Sequence, residues 1–253
     1  MAVGTSEPST SLSPWKSQLT GTENCSCSGA PSDSSSESLK EQLRSIDEVM
    51  QAVAGTGLAP WEIHRPQQFV RDLVRKGGFS GRVLDAGCGI GDNALYIAKA
   101  CPGAEVVAVD VVPRCLHFAS TKAGLRGMRG KLTLAAADLC NYDKLSISIQ
   151  QKLPYDIVLD SSTFHGFPDH QRDCYVSTLS RLLRAGGLIY MNCMSEEETR
   201  PGGPRRISVS ELSSLFNPST GWVVEAVVDS VAELHPTFWG GRGKARLFTI
   251  RKL

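Results

Sequence analysis

The chain has 253 residues, and its 27 Lys and Arg residues are balanced by 26 Asp and Glu residues, giving a formal net charge of +1. That balance leaves no excess of positive charge to replace the counterions of a nucleic acid, so a nucleic-acid partner is disfavoured. No stretch approaches the roughly 18 apolar residues of a membrane span, and the N-terminus lacks the basic-then-apolar order of a secretory signal. We therefore expect a cytoplasmic protein without a membrane partner.

Residues 1–38 form a tail dominated by Ser, Thr, Gly and Pro, which cannot bury enough apolar surface to offset the entropy lost on ordering. We expect this tail to be disordered. An organelle transit peptide would also be Ser-rich, but it would be basic and poor in acids; here four acidic residues outnumber the single Lys16. Residues 39–54 have apolar side chains at helical spacing and predict an amphipathic helix. We expect one domain over residues 39–253, with lid helices within residues 39–80.

The eight cysteines are scattered without a CxxC pair, and several lie in apolar runs that suit a small buried thiol. This pattern favours reduced thiols in a reducing compartment. Cys25 and Cys27 are close enough in sequence for a metal or redox pair, but two thiols without further ligands make a weak site. We expect no metal site.

A turn-rich connector over residues 55–67 and a helix within residues 67–78 precede seven short runs of β-type composition. The predicted strands cover residues 82–86, 104–112, 131–137, 155–160, 186–193, 221–228 and 245–252. The helical candidates between them cover residues 92–100, 113–123, 169–184 and 208–216. The alternation predicts an α/β fold with a doubly wound, mainly parallel seven-stranded sheet and a ligand at the carboxyl ends of the strands. About 16 residues without an obvious helix separate the last two runs, so the final strand is expected to be antiparallel.

The segment VLDAGCGIGDNA, residues 83–94, places three glycines at alternate positions in a predicted strand-to-helix turn. Either a ligand approaches the bare backbone there, or the glycines only form a tight turn. The dinucleotide fingerprint G-x-G-x-x-G does not match, because Asp92 stands where its third glycine would fall and would repel a pyrophosphate. A ligand with a carboxylate for the helix amides and an ammonium for Asp85 suits the segment better, and S-adenosylmethionine is such a ligand.

Two further acids follow the next predicted strands. Asp110 ends VVAVD about 20 residues after the glycines, where a carboxylate accepts hydrogen bonds from ribose hydroxyls. Asp138 follows AAA, where its carboxylate and the neighbouring amide suit an adenine edge. Each also has a purely structural interpretation, Asp110 as a polar residue at a strand end and Asp138 as a helix cap. Their order at the ends of consecutive strands favours a nucleoside site.

The segments VLDAGCGIGDNA, VVAVDVV, AAADL and YDIVLDSSTFHGF resemble the successive motifs of class I S-adenosylmethionine-dependent methyltransferases, over roughly residues 58–253. APWEIHRPQ, LDSSTFHGF and RRISVSELSSLFNPSTGWVVEAV resemble small-molecule methyltransferases of the thiopurine-methyltransferase and tellurite-resistance type. The resemblance implies a Rossmann-like fold with an antiparallel last strand. It also implies methyl transfer to an O, N or S atom of a small aromatic, heterocyclic or thiol acceptor.

The resemblance also implies roles for individual residues. Asp85, Gly87 and Gly89 would contact the methionine part of the cofactor, Asp110 the ribose, and Asp138 with Leu139 the adenine, and the predicted cofactor-binding set further includes Cys88, Val111 and Trp61. Asp160, after the fourth strand, would face the point of methyl transfer. An acceptor OH or SH group would gain from a general base, for which His165 is the candidate. It could instead be a loop residue bonded to a carbonyl group.

His64, Arg65 and Phe164 are the predicted acceptor-binding residues. Arg65 would hold an acidic substituent, and Trp61 would cover the cofactor or the acceptor, unless it only fastens the lid to the core. Arginines in two later strand-end loops suit an anion or a solvated surface: Arg205, Arg206 and Arg242. A cofactor-binding scaffold without catalysis is the alternative function. A nicotinamide-dependent oxidoreductase is disfavoured by Asp92, and we expect a monomer or homodimer.

Overall fold

The computed structural model describes residues 52–253, which fall within one unit spanning Arg44–Leu253. The predicted tail, the Cys25 and Cys27 pair and most of the predicted helix over residues 39–54 lie outside the described residues. Residues 52 and 53 are helical, and a turn follows them. The boundaries predicted for the tail and the domain stay predictions.

Seven strands form one sheet in the order β3-β2-β1-β4-β5-β7-β6. Their bounds are Gly81–Ala86 (β1), Ala104–Asp110 (β2), Leu132–Ala136 (β3), Tyr155–Ser161 (β4), Leu183–Met194 (β5), Trp222–Glu233 (β6) and Arg242–Lys252 (β7). The first five strands are parallel, and β7 runs antiparallel to both β5 and β6. The predicted fold class and the antiparallel final strand are confirmed. The strand order reverses at β1, between β2 and β4, which is where open α/β sheets bind ligands.

Six α-helices lie among the described residues: Gln68–Arg75 (α1), Asp92–Ala100 (α2), Pro113–Leu125 (α3), Ile147–Gln150 (α4), Asp169–Leu182 (α5) and Val209–Leu215 (α6). The short α4 was not predicted, and neither were the 3₁₀ turns. Among residues 52–253, no helix is both long and apolar enough to cross a bilayer. In the described part of the chain, four cysteines are buried as free thiols: Cys88, Cys101, Cys115 and Cys193.

The sheet is covered on both faces by separate apolar cores. Val83 of β1 packs in the core that includes Phe69 of α1, whereas Leu84 packs on the other face with Tyr175 of α5. Because parallel strands are buried on both faces, they appear in the sequence as continuous apolar runs, and their positions were therefore predicted closely.

The loop between β6 and β7 is shorter than predicted. It spans residues 234–241 and contains a 3₁₀ turn at Trp239–Gly241. β6 extends to Glu233, β7 begins at Arg242, and these two residues are paired. Only alternate residues of this half-exposed antiparallel hairpin face the core, and the residues between them are polar. The sequence therefore lacks the continuous apolar run by which the other strands were predicted.

Candidate functional site

The three glycines after β1 serve different purposes. All have positive φ, +74° at Gly87, +52° at Gly89 and +79° at Gly91, a region that favours glycine. A β-carbon added at Gly87 would lie 2.1 Å from Thr163 Oγ1, and one at Gly91 would lie 2.7 Å from Ala119 Cβ. A β-carbon added at Gly89 would meet no atom within 4 Å. Gly89 is therefore the position where the bare backbone borders open space that a ligand can use.

Asp92 does not have the role inferred from the sequence. It begins α2, is buried, and pairs with Lys122 of α3, while Arg126 lies 3.8 Å away. Since Lys122 compensates its charge, repulsion of a pyrophosphate by Asp92 is no longer an argument against a dinucleotide. Gly91 provides the close approach between helices instead, one residue earlier than in the dinucleotide fingerprint.

Asp85 is the most unusual group of the site. It is fully buried at the end of β1, and neither carboxyl oxygen has a hydrogen-bond partner among the described residues. Burial, followed by the nearby charges of Asp110 and Asp160, raises its pKa from 3.8 to about 7, and the backbone N–H of Ala94 opposes the rise without reaching normal hydrogen-bond geometry. An unpaired buried carboxylate is costly, and an ammonium group brought by a ligand would pair with it.

Asp110 joins the glycine loop to the strand that follows it. Its Oδ2 accepts the N–H of Gly89 at 2.8 Å, and its Oδ1 accepts the N–H of Val112 at 2.9 Å. Burial raises its pKa; these backbone bonds oppose the rise, and the charge of Glu62 adds to it. Each carboxylate oxygen keeps a lone pair for a further donor, so ribose hydroxyls fit here. Val111, next in the chain, is 50 % exposed.

Three other predicted cofactor residues contact the rest of the protein. Cys88 lies in the glycine loop as a buried thiol whose pKa is raised well above its usual range, first by burial and then by Asp85 and Asp110. Asp138 is exposed, and its Oδ1 accepts the N–H of Cys140 at 2.8 Å within a turn rather than as a helix cap, because the helical turn that follows begins at Tyr142. Leu139 is buried in the core.

The segment over residues 52–67, which contains the predicted connector and is here called the strap, is fastened at its first end to α3. Arg114 Nε donates to the carbonyl oxygen of Ala54 at 2.8 Å. The buried Glu62 accepts the N–H of Gly57 at 2.6 Å through Oε2 and that of Gly55 through Oε1. The charge of Glu62 also acts on the pKa of Asp110, which places this end of the strap beside the predicted ribose site.

The other end of the strap is fastened to the end of β6. Gln67 exchanges hydrogen bonds of 2.9 and 2.8 Å with the backbone of Glu233, and Arg65 Nη2 lies 3.1 Å from Glu233 Oε1. The His64 ring packs beside Phe118 of α3, with ring centroids 5.8 Å apart. His64 and Arg65 are thus engaged within the protein, unlike the acceptor-binding roles predicted for them.

The β4–α5 loop is organised by Asp160. This fully buried carboxylate accepts the N–H groups of Thr163 and Phe164 at 2.9 and 3.1 Å and the hydroxyl of Tyr175 at 2.8 Å. Burial raises its pKa to about 6, although these hydrogen bonds oppose the rise. Phe164 is fully buried in the core, with its ring near those of Tyr175 and Phe216. Asp160 and Phe164 therefore shape the loop, and Phe164 presents no surface to an acceptor.

His165 has a geometry that does not fit the predicted general base. Its Nδ1 accepts the N–H of Met194 at 2.9 Å, so the neutral ring carries its hydrogen on Nε2 and is a donor there. Burial, with the positive charges of Arg206 and Arg172, lowers its pKa to about 4. The ring holds the β4–α5 loop against the end of β5.

The later arginines mostly hold their own loops. Arg205 pairs with Glu211 and Asp169, and Arg206 donates to backbone carbonyl groups while its guanidinium lies 5.2 Å from the centre of the Trp239 ring. Their contacts stabilise the loops around the carboxyl edge of the sheet rather than leaving guanidinium groups for an anion.

Sequence reasoning missed four polar residues that this edge depends on: Glu62, Thr163, Asn192 and Glu233. Glu62 lies inside the quoted segment APWEIHRPQ, next to Trp61, so its position was available. Thr163 and Glu233 act through partners far away in sequence, such as the hydrogen bond from Thr163 Oγ1 to the Ala86 carbonyl oxygen at 2.7 Å, whereas the side chain of Asn192 has no hydrogen-bond partner. No spacing in the sequence signals such contacts.

The chain is similar in sequence to known methyltransferases. Residues 83–187 match the model of a methyltransferase domain. The chain is 30 % identical to the 2-heptyl-1-hydroxyquinolin-4(1H)-one methyltransferase of Mycobacteroides abscessus, over 66 % of this chain and 70 % of that protein. It is 24 % identical to a probable thiol methyltransferase 2 of Arabidopsis thaliana, over 71 % of this chain and 76 % of that protein.

A solved structure from work on the conversion of a disulfide bond into a thioacetal group during echinomycin biosynthesis has a TM-score of 0.66 and 26 % identity, covering 81 % of this chain and 91 % of that chain. TehB from Haemophilus influenzae has the same fold, with a TM-score of 0.57 at 18 % identity, covering 73 % of this chain and 62 % of that chain. The strand order, the open glycine loop and the unpaired Asp85 agree with these relationships. The chain belongs to the class I S-adenosylmethionine-dependent methyltransferases.

Proposed function

We propose that this methyltransferase acts on a small acceptor, either a flat heterocyclic or aromatic compound or a thiol, and that it methylates a sulfur, oxygen or nitrogen atom. The observation that carries the methyl-transfer proposal is the unpaired, buried Asp85 carboxylate beside the open face of Gly89. The proposed acceptor class is supported by the relatives named for a hydroxyquinolone and for thiols. The nearly neutral charge of the chain also favours it over nucleic acid.

The residues present fit the cofactor. Asp85 would pair with its ammonium group, the space beside Gly89 would admit its methionine part, and Asp110 would accept ribose hydroxyls through its remaining lone pairs. When bound, S-adenosylmethionine supplies a methyl group on a positively charged sulfur, which is already electrophilic. Leu139 and the exposed Val111 are the apolar residues that we propose for the adenine end.

The mouth of the acceptor region lies between the strap and the β6–β7 loop. The N–H of His235 donates to the Pro60 carbonyl oxygen at 2.7 Å, which brings these two segments together. Trp61 and Phe238, each close in sequence to one end of that bond, remain 37 % and 38 % exposed. Aromatic side chains of this kind suit the apolar face of a flat acceptor.

We propose that catalysis depends on orientation rather than on His165 acting as a base. Holding an acceptor atom in line with the methyl group can contribute up to about 7–11 kcal/mol. A ring with its Nδ1 occupied by the Met194 N–H and a pKa near 4 cannot take up a proton efficiently near neutral pH. This favours acceptors that ionise readily themselves, such as thiols and N-hydroxy heterocycles.

The proposal is tested in two stages. Calorimetric titration with S-adenosylhomocysteine, with NAD as the control ligand, first measures the cofactor site; we expect binding of the former alone. Transfer of labelled methyl from the cofactor to thiols, phenols and N-hydroxy heterocycles then measures activity, with RNA and protein as competing acceptors. Labelling of RNA or protein alone would reject the small-molecule class. Tight cofactor binding without any product would favour a non-catalytic scaffold instead.

A further inference from the structure

Two side chains in the described part of the chain are buried with no hydrogen-bond partner on any polar atom, Asp85 and Asn192. Arg172 and Arg246 each leave one nitrogen without a hydrogen-bond partner, but both guanidinium groups are ion-paired. Asp85 is explained by the cofactor. We infer that Asn192 binds the polar edge of the methyl acceptor, an inference that rests on the proposed function.

Asn192 lies on the same face of the sheet as Asp85. The strand register pairs Asp85 with Leu159 of β4, Leu159 with Tyr190 of β5, and Ser161 with Asn192. Paired residues share a face, and so do residues two apart along one strand. Asn192 is therefore two strands from Asp85, about 10 Å across the sheet at the usual strand spacing. It lies two residues closer to the carboxyl edge than the residue level with Asp85. It lies on the side of β4 away from the cofactor strands, where an acceptor would lie.

The backbone around Asn192 is fixed, while its side chain is not used. Its carbonyl oxygen accepts the N–H of Ser162 at 3.0 Å, and Ser162 has φ of +71°, an uncommon conformation for a residue other than glycine. Two residues later, the Met194 N–H donates to His165. The first residue and the middle of the β4–α5 loop are thus tied to β5 at Asn192 and just after it. Backbone strain of this kind clusters at functional sites.

The chemistry of the side chain defines the ligand. A primary amide offers N–H donors and a carbonyl acceptor side by side, and both are without partners in Asn192. A ligand that satisfies both has an adjacent donor and acceptor of its own, as in the N–H and C=O edge of a heterocyclic lactam. A simple thiol can satisfy only one. Among the readily ionising acceptors proposed above, the geometry thus favours hydroxy-heterocycles with such an edge over simple thiols.

The test uses the variant Asn192→Leu in the full chain. Leucine has a similar size and no polar atoms, so removing unpaired groups should leave the melting temperature unchanged or raise it. The probes are 2-quinolone, which has the lactam edge, and quinoline, which lacks it, each titrated into the complex with S-adenosylhomocysteine. We expect 2-quinolone to bind the original protein about tenfold more tightly than quinoline, the effect of one or two net hydrogen bonds. Asn192→Leu should remove that preference.

Met191→Leu is the matched control, because Met191 is fully buried one residue away in β5 on the opposite face. It should keep the preference for 2-quinolone. Equal binding of the two probes to the original protein, or an unchanged preference in Asn192→Leu, would overturn the inference. A large fall in melting temperature with the preference retained would assign Asn192 to the fold. Failure of the original protein to bind S-adenosylhomocysteine would instead reject the proposed function.

Discussion

Replacing Asp85 with asparagine should stabilise the cofactor-free protein in a pH-dependent way. The rise of the Asp85 pKa from 3.8 to about 7 corresponds to about 4 kcal/mol against the ionised form in the fold, at about 1.4 kcal/mol per pKa unit. Because the folded-state pKa is raised, the folded protein binds this proton more tightly than the unfolded chain does. Stability from the protonated form is complete below about pH 4 and is lost as the pH rises to about 7.

Asparagine has nearly the same shape and does not titrate, so the cost of burying its amide is independent of pH. We expect the stability of Asp85→Asn, relative to the original protein, to increase by about 2–3 kcal/mol between pH 5 and pH 8. Urea unfolding at both pH values, without cofactor, measures this difference. Asp138→Asn, which removes an exposed carboxylate near the same edge, controls for the loss of one negative charge.

Added S-adenosylhomocysteine should reverse the order at pH 8. Its ammonium group pairs with the Asp85 carboxylate and stabilises the original protein by mass action, whereas the asparagine variant loses that partner. Parallel stability curves for the two proteins from pH 5 to pH 8 would refute the reasoning, since they would mean that Asp85 is already paired in the fold.

Three further outcomes follow from the site. Asp110→Ala should weaken S-adenosylhomocysteine binding by about 1–3 kcal/mol, and unchanged affinity in calorimetry would place the ribose elsewhere. Gly89→Ala should weaken S-adenosylhomocysteine binding, because its β-carbon would enter the open space that the ligand uses, and should lower the melting temperature only by the cost of alanine at positive φ. Gly91→Ala has the same positive-φ cost and should lower the melting temperature further, because of the 2.7 Å approach to Ala119. The reverse pattern would contradict the division of roles. With the His165 pKa near 4, the ring stays neutral above about pH 5. Turnover of His165→Gln from pH 6 to pH 9 should keep the pH profile of the original protein, and loss of an inflection in the variant would restore the base role.

The sequence was sufficient for the fold because its signals are local. The helix over residues 92–100 has the predicted bounds, and the parallel strands lie within a few residues of theirs. The predicted β6 and β7 strands were too short, because the exposed end of their hairpin resembles a loop in composition. Asp85, Gly89 and Asp110 were found in the same way, since a strand end, a turn and a second strand end each leave a short-range signature.

The acceptor side of the site could not be predicted in this way. His165 was chosen for its position after β4, but its tautomer depends on the Met194 amide across the sheet. Arg65 was predicted to hold an acidic substituent of the acceptor, but Glu233, far along the chain, lies beside it. Asn192 had no signal, because what distinguishes it is a missing partner in the folded chain.

The contact between α2 and α3 links cofactor affinity to a residue behind the glycine loop. Ala119 is fully buried on α3, and its methyl group fills the space that a side chain at Gly91 would need. Enlarging Ala119 would push the start of α2, and with it the loop that holds Gly89. Libraries screened for altered cofactor affinity should therefore yield changes on α3, and during evolution Gly91 and Ala119 should be constrained to stay small together.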